Sequence, residues 1–417
     1  MKRVNIVILG GGAAGLMAAC TAAQNKNAGP IVVVEGNPKL GRKLLATGNG
    51  RCNLTNMHVS PAHYHGDVRA AEPLLAQYTP EKIRAVFRTL GLITREDSEG
   101  RVYPHNLQAA AVLSILRDYA AEHGVLFLLE RTAVSVQKMK KGFRITLSDG
   151  EEIEAAKCIL ACGGAASPKH SCSDGYTLAK TLGHTVTLLY PVLTQLVCKE
   201  KLKSVSGARC AAEATLLSDG QPVCSESGEV QFTDNSLSGI CIFGLSIPAG
   251  EFFSTGKIQG KPYKTLSVRL DCLPDLSFRE LADYLLEIRA NFPDRPAGDL
   301  LTGLMHMKVG FLLIQRAGID PNLLLRRIPQ GQIQKLAALI KGWTLEITGT
   351  KGWNDAQVTA GGIPLSEVNV ETMESKKVPG LYLTGEMLNI HGDCGGYNLH
   401  FAWSTGCAAG ADAARRS

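Results

Sequence analysis

Three glycines close to the start of the chain have the spacing of a phosphate-binding turn. Gly10, Gly12 and Gly15 follow the apolar run VNIVIL (4–9) and precede an alanine-rich segment (13–24) that favours helix. In a strand–turn–helix unit the first glycine allows the sharp bend, the second lets a pyrophosphate approach, and the third lets helix and strand pack closely. The free N–H groups and the dipole of the helix N-terminus then bind the phosphate charge. The pattern therefore predicts a dinucleotide site.

An acidic residue stands where such sites hold the adenosine ribose. Glu35 ends a second β-branched run, IVVVE (31–35), at the distance from Gly15 that this motif requires. A carboxylate here accepts from the ribose hydroxyls and repels a 2′-phosphate, so FAD or NAD is favoured over NADP. The alternative is a solvated strand end.

Two later segments favour FAD over NAD. KCILACGG (157–164) and GLYLTGE (380–386) are typical of buried strands that run into glycine. In FAD-binding chains of this kind a late strand returns beside the first one, and its acidic end meets the ribitol and pyrophosphate region. The glycine motif, KCILACGG and GLYLTGE occur in this order along the chain, and together they predict FAD, bound non-covalently.

A polar, glycine-rich connection, GRKLLATGNGRCN (41–53), follows the second predicted strand. Its basic side chains can offset phosphate charge or orient a flavin, its glycines let backbone approach the ring, and its amides both donate and accept. The residues concerned are Arg42, Lys43, Gly48, Asn49, Gly50, Arg51 and Asn53. The alternative is a mobile surface loop, but the position directly after a dinucleotide-binding strand favours a cofactor contact.

Candidates for proton transfer lie in HGDCGGYN (391–398). Gly395-Gly396 is expected to open the last helix, whose positive N-terminus can stabilise negative charge on a reduced flavin. His391 and Asp393 have suitable chemistry, although loop or capping hydrogen bonds explain them slightly better. His391 and Tyr397 are the catalytic candidates, and no single residue stands out as a base.

The elements that position these residues predict an α/β fold. We expect a Rossmann-like, two-dinucleotide-binding-type FAD domain made of residues 1–191 and 351–417, interrupted by a β insert (192–275) and a helical insert (276–350). The two inserts together form the predicted substrate domain. In the helical insert Ser277 and Glu280 have the spacing of a capping box.

Composition narrows the functional class. The chain has 417 residues, 45% hydrophobic and 20% charged, which is typical of a multidomain globular protein. Its 12 scattered Cys include no CxxC, so we expect neither a metal site nor a disulfide reductase, and a reducing cytoplasmic location is favoured. The charge of +6 is not clustered and no apolar run is long enough to span a membrane, so we expect no nucleic-acid or membrane partner.

Several segments resemble the bacterial aminoacetone oxidase/BaiN-like FAD-binding flavoproteins over nearly the whole chain. The most specific are GRKLLATGNGRCNLTN and the run that contains TMESK, PGLY, TGE and GGYN. The resemblance implies an FAD site formed by Gly10, Gly12, Ala13, Ala14, Gly15, Glu35, Arg42, Lys43, Gly48, Asn49, Arg51, Asn53, Val134, Gly163, Gly385, Glu386, Gly396, Asn398 and Leu399. Val134 would meet the adenine through its backbone. The chain departs from the family pattern at 388–391, and it carries Cys162 where Thr is usual.

Activities in that family are oxidation of aminoacetone by O₂ and reduction of a conjugated C=C bond in dehydro-steroid bile acids. The sequence therefore predicts an FAD-dependent oxidoreductase that transfers hydride between flavin N5 and a small organic substrate. A reductase of enone-type substrates is favoured. NAD(P)H would be its transient electron donor, because no second GxGxxG follows a strand. The alternatives are an amine oxidase that forms hydrogen peroxide and a non-catalytic flavin-binding accessory protein.

Overall fold

A computed structural model describes residues 2–170 and 175–415 of the chain. The described α-helices are α1 Ala13–Ala23, α2 Arg42–Ala46, α3 Val68–Gln77, α4 Pro80–Thr89, α5 Ala109–Glu122, α6 Gly175–Thr181, α7 Ile240–Thr255, α8 Phe278–Asn291, α9 Met307–Arg316, α10 Gln330–Lys341 and α11 Tyr397–Arg415. The described strands are β1 Lys2–Leu9, β2 Ile31–Val34, β3 Thr55–Asn56, β4 Tyr64–Gly66, β5 Thr94–Glu96, β6 Arg101–Pro104, β7 Leu126–Leu128, β8 Ala133–Lys138, β9 Phe143–Leu147, β10 Glu152–Leu160, β11 Tyr190–Val192, β12 Leu196–Cys198, β13 Arg209–Ser218, β14 Gln221–Phe232, β15 Ser236–Ser238, β16 Lys257–Ile258, β17 Lys261–Pro262, β18 Leu266–Asp271, β19 Trp343–Thr350, β20 Val358–Ala360, β21 Leu381–Leu383 and β22 Ile390–Gly392. The chain divides into two compact units, Met1–Pro191 with Gln357–Ser417, and Val192–Ala356.

The first unit is built on a seven-stranded sheet in which β7, β2, β1, β10, β9 and β8 follow one another and β21 also pairs with β10. Strands β7, β2, β1, β10 and β21 are parallel, whereas β9 and β8 continue the sheet antiparallel. The predicted Rossmann-like α/β class is therefore confirmed. The late strand, β21, was expected directly beside β1, but it pairs with β10 instead. Strand β10 is long, and its pairing with β9 covers only its first half. The edge of its second half is therefore available to β21.

Parallel strands place their carboxyl ends on one edge of a sheet. Leu9, Val34, Leu160 and Leu383 end β1, β2, β10 and β21, and each is followed by one of the glycine-rich or acidic segments singled out in the sequence. All four strands are almost completely buried at these ends, as their continuous apolar runs require. The loops therefore meet at the edge where open α/β sheets bind ligands.

Helices α1 and α11 approach each other backbone to backbone. A Cβ atom at Gly406 would lie 2.5 Å from the carbonyl oxygen of Ala14, and one at Gly410 would lie 2.4 Å from that of Ala18. Residues four apart lie on one face of a helix, so the two glycines form a flat strip against α1. Helix α11 thereby fixes the first turn of α1, where the phosphate-binding motif lies.

The second unit contains a closed barrel with the strand order β12, β15, β14, β13, β18 and β19. Buried and exposed side chains alternate along β18 and β19, as expected when one face of each strand points into a core. Phe232 and Trp343 stack in that core with their ring centroids 5.3 Å apart. The predicted capping box is present at the start of α8, where Ser277 and Glu280 each accept the other's backbone N–H.

The secondary structure of this unit differs from the predicted split into a β insert and a helical insert. Strand β19, in the segment expected to be helical, completes the barrel by pairing with β12 and β18. Helix α7, in the segment expected to be β, contains Pro248 and is apolar nearly all round, so it lacks the polar face that marks a helix in sequence. No described helix is long and apolar enough to cross a membrane.

Candidate flavin site and adjoining histidine cluster

The three motif glycines occupy three different environments at the start of α1. Gly10 has φ +111°, and a Cβ there would lie 2.3 Å from the carbonyl oxygen of Ala161. A Cβ at Gly15 would lie 1.9 Å from the carbonyl oxygen of Gly10. A Cβ at Gly12 meets nothing within 4 Å. Gly12 is also the N-cap of α1, and its helix begins without a side chain that accepts from its first N–H groups. Open space in front of unsatisfied N–H groups is the arrangement that binds a phosphate.

Glu35 ties the end of β2 to this loop. Its Oε2 accepts from the N–H of Gly11 at 2.8 Å, and its Oε1 accepts from both the backbone and the side-chain N–H of Asn37 at 2.8 Å. Arg42 in turn donates to Asn37 Oδ1 at 2.6 Å. A carboxylate has about four acceptor positions, so one stays available for a ribose hydroxyl. The solvated strand end considered above does not apply, since Glu35 is only 9% exposed.

Lys43 and Glu386 meet at the same edge of the sheet. Their Nζ and Oε2 atoms lie 2.5 Å apart, and Glu386 Oε1 accepts from the N–H of Thr359 at 2.9 Å. A Cβ at Gly164 would lie 2.7 Å from Glu386 Oε1, so the glycines that follow β10 leave room for this carboxylate. The two charges were predicted separately as cofactor contacts, and the structure brings them together as an ion pair.

The GNG segment of the polar connection adopts left-handed backbone. Gly48, Asn49 and Gly50 have φ values of +57°, +54° and +80°, and all three are exposed. Arg51 donates to the carbonyl oxygen of Gly48 at 3.2 Å and lies over the ring of Tyr103, 5.3 Å from its centroid. These contacts hold the loop in one conformation and leave its backbone accessible.

Asn53 and Gly396 form a close contact between this loop and the start of α11. A Cβ at Gly396, whose φ is +103°, would lie 2.7 Å from both Asn53 Oδ1 and the carbonyl oxygen of Thr55. Asn53 Oδ1 is buried and has no hydrogen-bond partner among the described residues. A buried acceptor without a donor is costly, which indicates a ligand group at this position.

The remaining predicted contacts are distributed around the same unit. Gly163 and Gly385, with φ +77° and +70°, follow β10 and β21. Asn398 uses its side chain within the protein, pairing with both the N–H and the carbonyl of Gly392 at 2.8 Å, while Leu399 is partly buried against the core. Val134 lies in β8 and is 59% exposed. The individual cofactor contacts stay predictions, and the Gly12 space, the uncapped helix and the Asn53 acceptor fit a bound dinucleotide.

Two ring stacks and one carboxylate form a histidine cluster of His63, His65, His391, Asp393 and Tyr397. The ring of His63 stacks on Tyr397 at 4.4 Å, and that of His65 stacks on His391 at 5.2 Å. Asp393 lies between the two stacks and accepts from His63 Nδ1 at 3.1 Å and from His65 Nε2 at 2.8 Å. The antiparallel pairing of β4 with β22, which sets His65 opposite His391, brings these distant segments together.

The environments of the cluster members differ. Burial opposes ionisation of Asp393, but hydrogen bonds and charge from His65 and His63 outweigh it and lower the pKa of the carboxyl. Burial and the nearby His65 lower the pKa of His391 to about 3, so this ring is neutral at pH 7. Neither His391 nitrogen has a partner among the described residues. Burial and Asp393 raise the pKa of Tyr397 to about 12. His391 therefore has no protonated imidazolium form from which to donate at neutral pH.

His63 and His65 are members of this cluster that the motif analysis did not single out. They lie in AHYHG (62–66), a short segment with no periodicity and no known spacing to Asp393. The only sequence signal was the density of His and Tyr between Pro61 and Gly66.

A second polar arrangement, Ser375–His184–Glu367, resembles a hydrolytic triad in geometry. His184 lies 2.9 Å from Ser375 Oγ and 2.6 Å from Glu367 Oε2. Ser375 Oγ, however, accepts from the N–H groups of Lys377 and Val378 and is buried, so it supports a turn. Ser375, in the TMESK segment, thus supports the turn that precedes β21. No group of described His, Cys, Asp or Glu side chains is arranged to hold a metal ion.

The fold and the site together define a dinucleotide-binding flavoprotein. The HI0933-like protein Rossmann domain matches residues 4–412, and the chain belongs to this family, as the resemblance in the sequence indicated. The chain is 37% identical over 422 residues to the 3-dehydro-bile acid delta(4,6)-reductase of Clostridium scindens, with all of both chains covered. It is 28% identical to the ribosomal RNA dihydrouridine synthase of Escherichia coli, with 99% of this chain and 98% of that protein covered.

Solved structures support the same fold. A 3-ketosteroid delta1-dehydrogenase from Sterolibacterium denitrificans matches all of both chains with a TM-score of 0.51 and 13% identity. The FrdA subunit of Escherichia coli quinol fumarate reductase matches the whole chain and 71% of its own, with a TM-score of 0.50 and 16% identity. The family match and the full-length similarity to a reductase show that the chain is an FAD-dependent oxidoreductase, as predicted.

Proposed function

We propose that the protein reduces a carbon–carbon double bond conjugated to a carbonyl in a small organic molecule, with NAD(P)H as the transient electron donor. The observation that carries the proposal is the 37% identity, over the full length of both chains, to a 3-dehydro-bile acid delta(4,6)-reductase. The second relative named above is a dihydrouridine synthase, and both names describe adding hydrogen to an unsaturated substrate. A cytoplasmic location belongs to the same proposal.

The chain's own residues support the parts of this reaction. When bound, the flavin supplies hydride transfer to and from carbon. The first turn of α1, with Gly12 and its free N–H groups, would hold the pyrophosphate, and Glu35 would hold the ribose. Asn53 Oδ1 and the backbone of the GNG segment would contact the ring system. The histidine cluster adds two imidazoles, His63 and His65, which share the Asp393 carboxylate.

The test is an anaerobic rapid-mixing experiment on the purified protein, read as bleaching and recovery of the flavin's visible absorbance. NADH, NADPH and aminoacetone are offered separately as donors, and the reduced protein is then mixed with a steroid enone, with uridine-containing RNA, or with O₂. Bleaching by NADH or NADPH followed by recovery with the enone supports the proposal. Bleaching by aminoacetone alone, with peroxide formed in air, would establish an amine oxidase instead.

Recovery with RNA and not with any enone would move the substrate class to nucleic acid. Protein that binds FAD but is bleached by no donor would support the non-catalytic alternative. FAD binding is measured in the same preparation, because a protein that cannot be reconstituted with FAD would contradict the site itself.

A further inference from the structure

The starting observation is how close His63 lies to the segment predicted to contact the flavin. Its ring stacks at 4.4 Å, and within 15° of parallel, on Tyr397, the first residue of α11. The loop before α11 is held against β3, which follows the polar connection, since Asn56 Nδ2 donates to the carbonyl oxygen of Gly395 at 3.1 Å. The next residue, Gly396, faces the unpartnered Asn53 Oδ1. His63 therefore contacts the residue that directly follows Gly396, the glycine next to the buried acceptor that indicates a ligand.

The geometry also fixes which nitrogen of His63 carries a proton. A carboxylate only accepts, so the 3.1 Å contact with Asp393 Oδ2 places the hydrogen on Nδ1. The backbones of these two residues are also joined, because the N–H of Asp393 donates to the carbonyl oxygen of His63 at 3.0 Å. The His63 side chain stays 35% exposed, and Nε2 has no hydrogen-bond partner in the described ranges. A histidine oriented by a carboxylate, with its other nitrogen free, is the arrangement used to move protons.

We infer that His63, oriented by Asp393, donates the proton that completes reduction of the conjugated double bond; this rests on the proposed function. The π bond of the substrate breaks, the β-carbon gains the hydride supplied by the reduced cofactor, and the α-carbon gains a proton from His63 Nε2. His63 enters this step with both ring nitrogens protonated and leaves it neutral, with its hydrogen on Nδ1. It then takes a proton back from water at Nε2. Two electrons leave NAD(P)H and two enter the substrate in each turnover.

The other members of the histidine cluster have supporting positions. His65 shares the Asp393 carboxylate but stacks on the buried His391, away from Tyr397. His391 is 3% exposed and so cannot exchange protons with water as readily as His63. Tyr397 provides the surface on which the His63 ring rests, and Asp393 is a positioning residue.

The test compares His63→Gln and Asp393→Asn with His123→Gln, a variant of an exposed histidine at the end of α5. Reduction of the bound flavin by NAD(P)H and its reoxidation by the enone are measured separately. His63→Gln is expected to slow reoxidation by about 100-fold and to leave reduction within about twofold of the parent protein. Asp393→Asn is expected to slow reoxidation by about 10-fold with unchanged FAD content. His123→Gln is expected to change neither rate.

A second readout does not depend on turnover. Histidine-selective ¹⁵N NMR reports the tautomer of each ring, and the His63 signal is assigned by its loss in His63→Gln. We expect Nδ1–H in the parent protein and a shift toward Nε2–H in Asp393→Asn. If the enone reoxidises the parent protein and His63→Gln equally fast, this inference alone is overturned. An Asp393→Asn variant in which the His63 tautomer is unchanged overturns it too. Parent protein that no enone reoxidises overturns the proposed function and the inference with it.

Discussion

Lys43 and Glu386 lie 343 positions apart in the chain, yet their Nζ and Oε2 atoms are 2.5 Å apart at the carboxyl edge of the parallel sheet. The two side chains are 30% and 21% exposed, so the pair is only partly screened by water. We expect Lys43→Met to lower the free energy of unfolding by about 1–2 kcal/mol, since it leaves the carboxylate without its cation. A double-mutant cycle with Glu386→Gln, followed by chemical unfolding with FAD bound, measures the coupling. Strictly additive effects would mean that the two charges act independently.

Gly12 and Gly15 should respond in opposite ways to the same substitution. A Cβ at Gly12 enters open space, so Gly12→Val should cost about 1 kcal/mol or less in the apo-protein and yet abolish FAD retention. Gly15→Val places its Cβ against the backbone of Gly10 and should destabilise the apo-protein itself by about 3 kcal/mol. Thermal unfolding and the ratio of flavin to protein absorbance distinguish the two effects. Loss of apo-protein stability in Gly12→Val would contradict the assignment of that space to the cofactor.

The close approach of α11 to α1 makes Gly410 sensitive to a single methyl group. Gly410→Ala should destabilise the first unit by about 1–3 kcal/mol, because its Cβ would lie 2.4 Å from the Ala18 carbonyl oxygen. Gly331→Ala in α10 is the matched control: nothing lies within 4 Å of its Cβ, so the gain in helix propensity should stabilise the protein slightly. The midpoints of thermal unfolding should move in opposite directions. If both variants gained stability, the helices would have room to separate.

Glu367 should contribute stability that depends on pH. Burial raises its pKa, but hydrogen bonds from Lys377, Thr185 and His184 outweigh this and lower the pKa to about 2 from 4.5. The folded state therefore holds the ionised carboxylate more strongly than the unfolded chain does. Its contribution is complete above pH 4.5 and is lost as the pH falls toward 2.

Glu367→Gln should accordingly lower the free energy of unfolding by about 2–4 kcal/mol at pH 7, and the deficit should shrink between pH 4.5 and pH 2. Urea unfolding at several pH values measures it. Glu371→Gln, at an exposed site four residues away, should have little effect at any pH. A deficit that stays constant down to pH 2 would show that the loss comes from packing.

The local parts of the site could be predicted from the sequence. Gly10, Gly12 and Gly15 depend only on the strand before them and the helix after them, so the spacing alone indicated the tight turn that they form. Glu35 was placed correctly at the end of β2 for the same reason. Its bond to the Gly11 N–H could not be foreseen, because it depends on how the loop closes.

The non-local parts could not be predicted. Asp393 meets His63 across 330 positions, and each segment alone has only the composition of a polar loop. The predicted boundary between the β insert and the helical insert cuts through the barrel for the same reason. Strand β19, Trp343–Thr350, closes the barrel by pairing with β12. Strand β12 has only three residues, and no local pattern indicates its partner. Helix α7 was missed because its sequence is apolar nearly all round, which removes the periodicity that marks a helix.

The position of α11 in the chain has a consequence for biosynthesis. The unit formed by β1 and α1 leaves the ribosome before β21 and α11. Strand β21 pairs in the sheet of that unit and α11 packs on its helix, but both follow residue 380. Until then the small side chains of α1 that face Gly406 and Gly410 have no partner, and the edge of β10 is open. A nascent chain stalled before α11 should therefore expose an apolar surface that chaperones bind.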